Sequence, residues 1–281
     1  MPVRKPSHIE TQDPKYFAFR RTILGWWLVW SVASVLAWLL WGQIALVLSL
    51  IGLGAVLLYT GLSLYHKLQV EQVQHYWQTE ALFSLYSAVP ITLPLPPMRL
   101  WAASPDFMAL AVSMIRQHRP SIVLEVGSGV STVIMGYCLR EQGDGELIAL
   151  EHEKQFAQVT ADNIVTHGLD NVAQVVHAPL KPVSIKADVH LWYDISALND
   201  LPPIDLLVVD GPPEKTQRYA RYPALPLLFS RLSDGAIILV DDFMRDDEYV
   251  AVNRWLDEFN LEVVGTFANE KGAVILRKVS R

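Results

Sequence analysis

The pattern of apolar positions separates an uncharged amino-terminal stretch from a longer region in which short apolar runs alternate with amphipathic segments. Residues 22–65 contain no Asp, Glu, Lys or Arg, so 44 consecutive positions carry no formal charge. A helix needs about 20 apolar residues to cross a hydrocarbon core. Residues 23–41 and 44–65 each reach that length, with Gly42 and Gln43 between them. The pattern predicts two transmembrane helices in a tight hairpin rather than a signal peptide, whose apolar region has about 7–15 residues.

The charges that flank this hairpin predict its orientation. Residues 1–21 form a basic segment with five basic and two acidic side chains, and positively charged flanks stay in the cytoplasm. Trp26, Trp27, Trp38 and Trp41 lie near the ends of the first span, where tryptophan favours the membrane interface. We therefore expect an integral protein of the cell (inner) membrane whose domain after the hairpin is cytoplasmic.

Polar residues return to the pattern after residue 65. Val70, Val73, Trp77, Leu82 and Leu85 recur at steps of three to five residues, which predicts a juxtamembrane amphipathic helix over residues 66–88. The proline-rich stretch 90–97 then predicts a linker or lid. The predicted organisation is a basic amino terminus (1–21), two transmembrane helices (22–65), the juxtamembrane helix with its linker (66–99) and a catalytic domain (100–281).

The remaining pattern alternates between strands and helices. Short apolar runs predict seven strands, at residues 121–126, 146–150, 173–176, 204–209, 236–240, 261–267 and 273–276. Amphipathic segments predict helices at residues 104–117, 131–140, 154–167 and 246–259. This alternation predicts an α/β fold, Rossmann-like, with a mainly parallel seven-stranded sheet and helices on both of its faces.

Composition narrows the function. From residue 66 onward the chain carries 18 basic and 27 acidic residues, which argues against a general nucleic-acid binder, because such a protein needs a basic surface. The single cysteine, Cys138, excludes an internal disulfide framework and fits a reducing compartment.

Polar residues follow several predicted strands, where ligands of open α/β sheets bind. Gly127-Ser128-Gly129 forms a loop after the first strand, and Glu151-His152 ends the second. The carboxylate of Glu151, at the end of the second strand, can accept hydrogen bonds from a ribose, which implies an adenosine-containing ligand. Glu125 beside the loop would repel phosphate but suits an ammonium or sulfonium cation.

Four motifs carry a resemblance to a known family. EVGSGVST, LIALEHE, VVDGPP and VDDF resemble the motifs of class I S-adenosylmethionine-dependent methyltransferases, most closely those of small O-methyltransferases. The likeness covers roughly residues 100–280 and implies S-adenosylmethionine as the cofactor. It assigns the methionine end of the cofactor to Glu125, Gly127, Ser128, Gly129 and Ser131. It also assigns the ribose end to Glu151 with His152, and it places Asp210 beside the transferred methyl group.

Metal-dependent members of this family have acidic residues after the fourth and fifth strands. The resemblance implies that Asp210, Asp241 and Asp242 hold Mg²⁺, an ion that prefers oxygen ligands. Asp242 stands where those enzymes have Asn, and Pro213 stands where they have a lysine. Lys215 is the alternative catalytic base. The competing interpretation of Asp241 and Asp242 is helix capping and solvated charge beyond a strand.

The expected function is methylation of an oxygen on a small or lipid-linked acceptor at the cytoplasmic face of the membrane. Two alternatives remain open: aminopropyl transfer of the spermidine-synthase type, and a non-catalytic cofactor-binding scaffold. Tyr193 is a weaker pocket candidate and is left outside the predicted site. Arg218 and Arg221 are interpreted as part of a helix that packs on the sheet. The sequence leaves the oligomeric state open.

Overall fold

The computed structural model describes residues 28–36, 38–39, 42–98 and 102–280. The chain forms two compact units, one within Glu10–Trp77 and one that contains Gln78–Arg281. The basic segment 1–21 and three of the four interface tryptophans, Trp26, Trp27 and Trp41, lie outside the described residues.

The described part of the first unit is helical. Residues 28–36 and 38–39, from the first predicted span, are helical, and the chain turns at Gly42, whose φ of +68° favours glycine. Helix α1 then runs over Gln43–Ala88 for 46 residues and is the one helix among those described that is long and apolar enough to cross a membrane. The two helices predicted at residues 44–65 and 66–88 are therefore a single helix.

Glycine lets two helical segments of this unit approach closely. A Cβ built on Gly52 of α1 would lie 2.2 Å from Cζ2 of Trp30, so the indole ring occupies the space that any larger residue would fill. The indole Nε1 also donates to the carbonyl of Ser49 at 3.4 Å. The contact between Trp30 and α1 is consistent with a helical hairpin.

The second unit is an α/β domain. Its helices are α2 (Pro105–His118), α3 (Val130–Gln142), α4 (Lys154–Thr166), α5 (Ala224–Leu228) and α6 (Asp246–Glu258). Its strands are β1 (Ile122–Val126), β2 (Glu146–Glu151), β3 (Ala173–His177), β4 (Leu180–Ile185), β5 (Asp188–Tyr193), β6 (Ile204–Val209), β7 (Leu232–Val240), β8 (Leu261–Phe267) and β9 (Ala273–Lys278).

Seven strands form one sheet in the order β3-β2-β1-β6-β7-β9-β8. The first five are mutually parallel. β9 pairs antiparallel with β7, and the edge strand β8 pairs antiparallel with β9 and therefore runs in the same direction as the first five. All five residues of β1 are buried, as expected for a central parallel strand that is covered on both faces. The predicted mainly parallel, Rossmann-like sheet is confirmed. The direction of strand order reverses between β1 and β6, and such a reversal opens a crevice at the carboxyl ends of the strands.

Alternating side chains of the strands build a core on each face of the sheet. Leu124 and Val126 of β1 point into a core that also contains Trp192 of β5 and Trp255 of α6. Val123, on the opposite face of β1, belongs to a core shared with helices α2 and α3.

The last turns of α1 and the proline-rich segment after it pack into this second core. Leu85 and Val89 are buried there, with Ile91, Leu95 and Met98 partly buried against it. Gln78 Nε2 donates to Asp106 Oδ2 at 2.7 Å, and the same carboxylate oxygen accepts from the backbone of Glu270 at 2.8 Å. The segment predicted as a linker is therefore an integral part of the α/β unit.

One element was not predicted. Strands β4 and β5 pair antiparallel as a separate hairpin between β3 and β6, joined through Lys186, whose φ is +57°. The side-chain amide of Gln217 pairs with the outer edge of β5, because it accepts from Leu191 N at 2.8 Å and donates to Leu191 O at 3.1 Å.

Candidate active site

The loop between β1 and α3 is shaped by two glycines. Gly127 has a φ of +111° and Gly129 one of +151°, both in the region that residues with a Cβ avoid. The backbone nitrogen of Gly127 donates to Leu150 O at 3.0 Å, and that of Asp210 donates to Val126 O at 3.0 Å. These bonds join the ends of three neighbouring strands and bring the loop to the crevice at the β1–β6 reversal.

Glu125 is buried next to this loop and accepts hydrogen bonds from the residues that follow it. Its carboxylate is 1% exposed and accepts hydrogen bonds from Ser131 Oγ and from Thr132 Oγ1, the latter at 2.7 Å. Thr132 Oγ1 also accepts from Gly129 N at 3.1 Å. Burial raises the pKa of Glu125 to about 8, although the two hydroxyl groups oppose that shift. Each carboxylate oxygen thus accepts a hydrogen bond from the loop, so Glu125 and Ser131 support the loop structure, and a direct contact of either residue with the cofactor stays a prediction.

Glu151 ends β2 and is held in a fixed orientation. Its Oε2 accepts from Ser128 Oγ at 3.0 Å, and its Oε1 accepts from Glu153 N at 2.9 Å. His152 Nδ1 lies 3.0 Å from the same Oε1. Burial alone would raise the pKa of Glu151, but the hydrogen bonds from His152, Glu153 and Ser128 outweigh it and lower the pKa. A carboxylate of this kind stays ionised and can accept hydrogen bonds from a diol.

Three aspartates follow the two neighbouring strands β6 and β7. Asp210, Asp241 and Asp242 offer carboxylate oxygens that all lie within 4.8 Å of one another. We call these residues the acidic trio. Burial raises the pKa of Asp210 to about 6, with Arg221 opposing the shift and Asp242 adding to it. The structure thus brings together the three residues that the sequence predicted as a cluster.

Asp241 is the unusual member of the acidic trio. It is completely buried, and neither carboxylate oxygen has a hydrogen-bond partner among the described residues. Burial, and then the charges of Asp210 and Asp242, raise the pKa of Asp241 well above its ordinary value. Buried polar groups nearly always have a partner. These unpartnered oxygens and the other carboxylate oxygens of the acidic trio are hard donors that fit a divalent cation such as Mg²⁺. The competing interpretation, solvated charge beyond a strand, does not explain why the Asp241 oxygens are buried without a partner.

Sequence reasoning missed Arg221, a buried cation of this site. Its side chain is 3% exposed and lies in a turn before α5 rather than in a packing helix. Nη2 donates to Asp242 Oδ2 and lies 3.2 Å from Asp210 Oδ1. Arg245 Nη1 lies 2.9 Å from the same Asp242 Oδ2. Burial alone would raise the pKa of Asp242, but the charges of Arg221 and Arg245 outweigh it and lower the pKa.

Tyr193, the last residue of the unpredicted hairpin, also belongs to this region. A Cβ on Gly211 would lie 2.3 Å from the Tyr193 hydroxyl oxygen, so glycine is required where the phenol approaches the residue after Asp210. The Tyr193 and His152 rings meet edge to face, with centroids 5.8 Å apart. Burial, and then the charge of Glu151, raise the pKa of Tyr193 well above its ordinary value. The phenol is therefore neutral at physiological pH.

Lys215 lies on a single 3₁₀ turn, Glu214–Thr216, and is exposed. The structure thus places it at the surface rather than among the buried carboxylates, and a catalytic role for it stays a prediction.

Comparison with known proteins agrees with this geometry. Residues 124–243 match a family model described as a methyltransferase domain. No curated protein matches the chain. The O-methyltransferase TomG from Streptomyces achromogenes, involved in tomaymycin synthesis and solved in complex with SAM, is 18% identical. The match covers 74% of this chain and 96% of that one, with a TM-score of 0.50.

A second solved structure is the SAH-bound methyltransferase PaMTH1 from Podospora anserina. It is 16% identical, the match covers 75% of this chain and 96% of that one, and the TM-score is 0.54. At such identities the likeness shows the fold. The class is therefore a Rossmann-like α/β domain similar to S-adenosylmethionine-dependent methyltransferases, with a matched methyltransferase-domain segment that runs from β1 to the residues just after β7.

Proposed function

We propose that this protein is an S-adenosylmethionine-dependent methyltransferase that methylates an oxygen of a small or lipid-linked acceptor at the cytoplasmic face of the cell membrane. The main observation behind this proposal is that the glycine loop contacts Glu151 at the crevice, through Ser128. The pKa of Glu151 is lowered, and its carboxylate is held by hydrogen bonds from Ser128 and Glu153 and by the close contact with His152, as a receptor for ribose hydroxyls must be. The methyltransferase-domain match to residues 124–243 supports the same assignment.

In this proposal each group of the crevice has a separate task. The backbone of Gly127–Gly129 binds the methionine end of the cofactor, and Glu151, with His152 and Ser128 behind it, binds the ribose. Glu125 and Ser131 keep the loop in its strained conformation. Asp210 lies beside the reacting atoms at the end of β6.

The transfer requires the acceptor hydroxyl to lose a proton. An electron pair of the acceptor oxygen forms the new C–O bond, the C–S bond of the sulfonium breaks with its electrons remaining on sulfur, and S-adenosylhomocysteine is the second product. Asp210 has a pKa raised to about 6, which makes it a base near its best operating range at neutral pH. We therefore assign the proton to Asp210, with exposed Lys215 as the weaker candidate.

We further propose that the acidic trio holds Mg²⁺. The unpartnered oxygens of Asp241 and the second oxygen of Asp242 support this assignment. A bound Mg²⁺ supplies a Lewis acid that lowers the pKa of the acceptor hydroxyl. Asp241 and Asp242 hold and orient the ion in this proposal. A bound ion would lower the pKa of Asp210, so Asp210 is the proposed base of the metal-free site and Lys215 is the candidate base once the ion is bound.

The membrane part of the proposal is supported by α1. This helix is long and apolar enough to span a bilayer, and the side chains in its apolar part are mostly exposed. An exposed apolar surface of this length is unfavourable in water and favourable in lipid. The basic segment 1–21 then keeps both ends of the hairpin on the cytoplasmic side.

The test is calorimetric titration of S-adenosylmethionine into the full chain in detergent. We expect binding that Glu151→Ala weakens about 10- to 100-fold, because a hydrogen bond to a charged group contributes about 1.5–3 kcal/mol. Glu146→Ala is the matched control: Glu146 is the exposed residue at the other end of β2, and its loss should leave binding unchanged.

No binding of S-adenosylmethionine by a folded wild-type chain would refute the proposal and favour aminopropyl transfer, which the same titration with decarboxylated S-adenosylmethionine tests. Binding of S-adenosylmethionine without any methylated product would instead favour the cofactor-binding scaffold. A labelled-methyl assay on native membranes identifies the acceptor, and the lipid-linked part of the proposal fails if no lipid fraction gains label in a protein-dependent way.

A further inference from the structure

The guanidinium of Arg221 joins the ends of the two strands that carry the acidic trio. Nη2 donates to the backbone carbonyl of Asp210 at 3.1 Å, and Nη1 donates to the backbone carbonyl of Asp241 at 2.8 Å. The same Nη2 contacts Asp210 Oδ1 and Asp242 Oδ2. A single side chain therefore sets the spacing between the turn after β6 and the turn after β7.

These bonds divide the carboxylate oxygens into two sets. Arg221 binds one oxygen of Asp210 and one of Asp242, and Arg245 lies 2.9 Å from that same Asp242 oxygen. The other Asp242 oxygen and both Asp241 oxygens are buried without a hydrogen-bond partner among the described residues. Arginine thus fixes one side of the acidic trio and leaves the remaining oxygens for another ligand.

The charges also require a further cation or a proton. The acidic trio and the buried Glu248 have four carboxyl groups, whereas Arg221 and Arg245 supply two positive charges in direct contact with them. Leaving a buried carboxylate unpaired costs several kcal/mol. Among the described residues, Asp241 has no hydrogen bond and no direct cation contact through its side chain, and the charges of Lys271 and Arg221 act on it only from a distance.

The geometry depends on arginine in particular. Its planar group has five donors in a fixed fork, and here two of its nitrogens serve four oxygen atoms on two strand ends. A lysine ammonium is a single point charge on a flexible stem and cannot span both backbone carbonyls in the same way.

We propose that Arg221 is a positioning residue that orients Asp210 and Asp242 so that their free oxygens, together with Asp241, form a divalent-cation site. This inference rests on the proposed function, since it explains how the cation site of the methyltransferase is assembled. Residues that orient metal ligands in this way typically contribute about 10- to 100-fold to metal affinity.

The test is Mn²⁺ binding by the full chain in detergent, followed by the electron paramagnetic resonance signal of the free ion. We expect the wild type to bind Mn²⁺, Arg221→Ala to bind it about 10- to 100-fold more weakly, and added guanidinium ion to restore part of the loss. Arg221→Lys, which keeps the charge and is the milder change, should still bind more weakly than the wild type. Binding of S-adenosylmethionine should change little, because Glu151 and the glycine loop are untouched.

Arg231→Ala is the matched control. Arg231 also donates to a backbone carbonyl, that of Leu198 at 2.7 Å, but it lies outside the acidic trio, so its loss should not alter Mn²⁺ affinity. Wild-type-like affinity in Arg221→Ala, or in Arg221→Lys if the alanine variant does not fold, overturns the proposal. Tighter binding in either variant also overturns it, because Arg221 would then compete with the ion.

A wild type that binds S-adenosylmethionine but not Mn²⁺ overturns the positioning role and leaves the methyltransferase assignment intact. A wild type that binds Mn²⁺ in the predicted Arg221-dependent way but does not bind S-adenosylmethionine supports the positioning role and refutes the methyltransferase assignment. The two failures are therefore distinguishable.

Discussion

At the scale of single residues, Glu125 shows how a buried acid supports the loop above it. Its carboxyl group accepts hydrogen bonds from Ser131 and Thr132, while burial raises its pKa to about 8. The ordinary value of a glutamate is 4.5. The folded chain therefore holds a proton on Glu125 over a pH range in which the unfolded chain has lost it.

This difference predicts a pH dependence of stability. Between about pH 4.5 and pH 8 the folded state binds one more proton at Glu125 than the unfolded state, so stability falls as the pH rises through this range. Glu125→Gln removes the titrating group and should make the fall less steep. Melting temperatures of both proteins at pH 5, 6, 7 and 8 measure the difference. Parallel curves would show that Glu125 titrates normally in the folded state.

At the residue scale, the sequence marks polar residues that end or follow a strand, and it gives no signal for residues whose partners are distant in the chain. Glu151, Asp210, Asp241 and Asp242 are recognisable because each ends or follows an apolar run. Arg221 gives no such signal, since it lies in a turn and its partners are 11 to 27 positions away in the sequence. Its role is visible only once the ends of β6 and β7 are adjacent in space.

At the scale of elements, periodicity predicted the seven strands of the main sheet but not the β4–β5 hairpin. Pro182 interrupts the alternation of β4, and the hairpin turn passes through Lys186, a residue that rarely adopts a positive φ. At the start of α2, the hydroxyl of Ser104 donates to Asp106 Oδ1, and the same oxygen accepts from Phe107 N at 2.8 Å.

The contact between Trp30 and α1 leads to a prediction for the helical unit. Gly52→Val places side-chain atoms where the indole ring lies, so Trp30 must move away and lose its packing and its hydrogen bond to Ser49. Overpacking of this kind typically destabilises by about 1–3 kcal/mol. Calorimetric melting in detergent should show a lower transition temperature for this variant.

The chain supplies a matched control for this experiment two residues further along the same helix. A Cβ on Gly54 meets no atom of the described residues within 4 Å, so Gly54→Val should melt like the wild type. Equal losses for both variants would attribute the effect to glycine flexibility or to lipid contacts, and the Trp30 contact would then have no specific role.

At the scale of the whole molecule, the boundary of the α/β unit differs from the one that composition predicts. The prolines of residues 90–97 predicted a linker before a domain starting at residue 100, but the compact unit already includes Gln78. Composition misleads here because proline disfavours regular structure without preventing burial. Leu85 and Val89 are core residues although they precede the prolines.

This boundary predicts the outcome of two truncations. A chain beginning at Gln78 keeps the Leu85 and Val89 packing and the Gln78–Asp106 hydrogen bond, and we expect it to fold and to bind S-adenosylmethionine. A chain beginning at Ala102 loses them, and removing one large aliphatic core side chain costs about 2–5 kcal/mol. Thermal denaturation should show a cooperative transition only for the longer chain. Equal stability of the two would restore the boundary at residue 100.

The pairing of Gln217 with Leu191 has a consequence for colloidal behaviour. An unpaired strand edge offers a template on which another polypeptide can add as an extra strand and start aggregation. The Gln217 amide satisfies both outward backbone groups of Leu191 and so imitates one residue of a neighbouring strand. One glutamine in the segment after Asp210 thereby blocks a templating position on β5, a protection that matters most where many copies are crowded together.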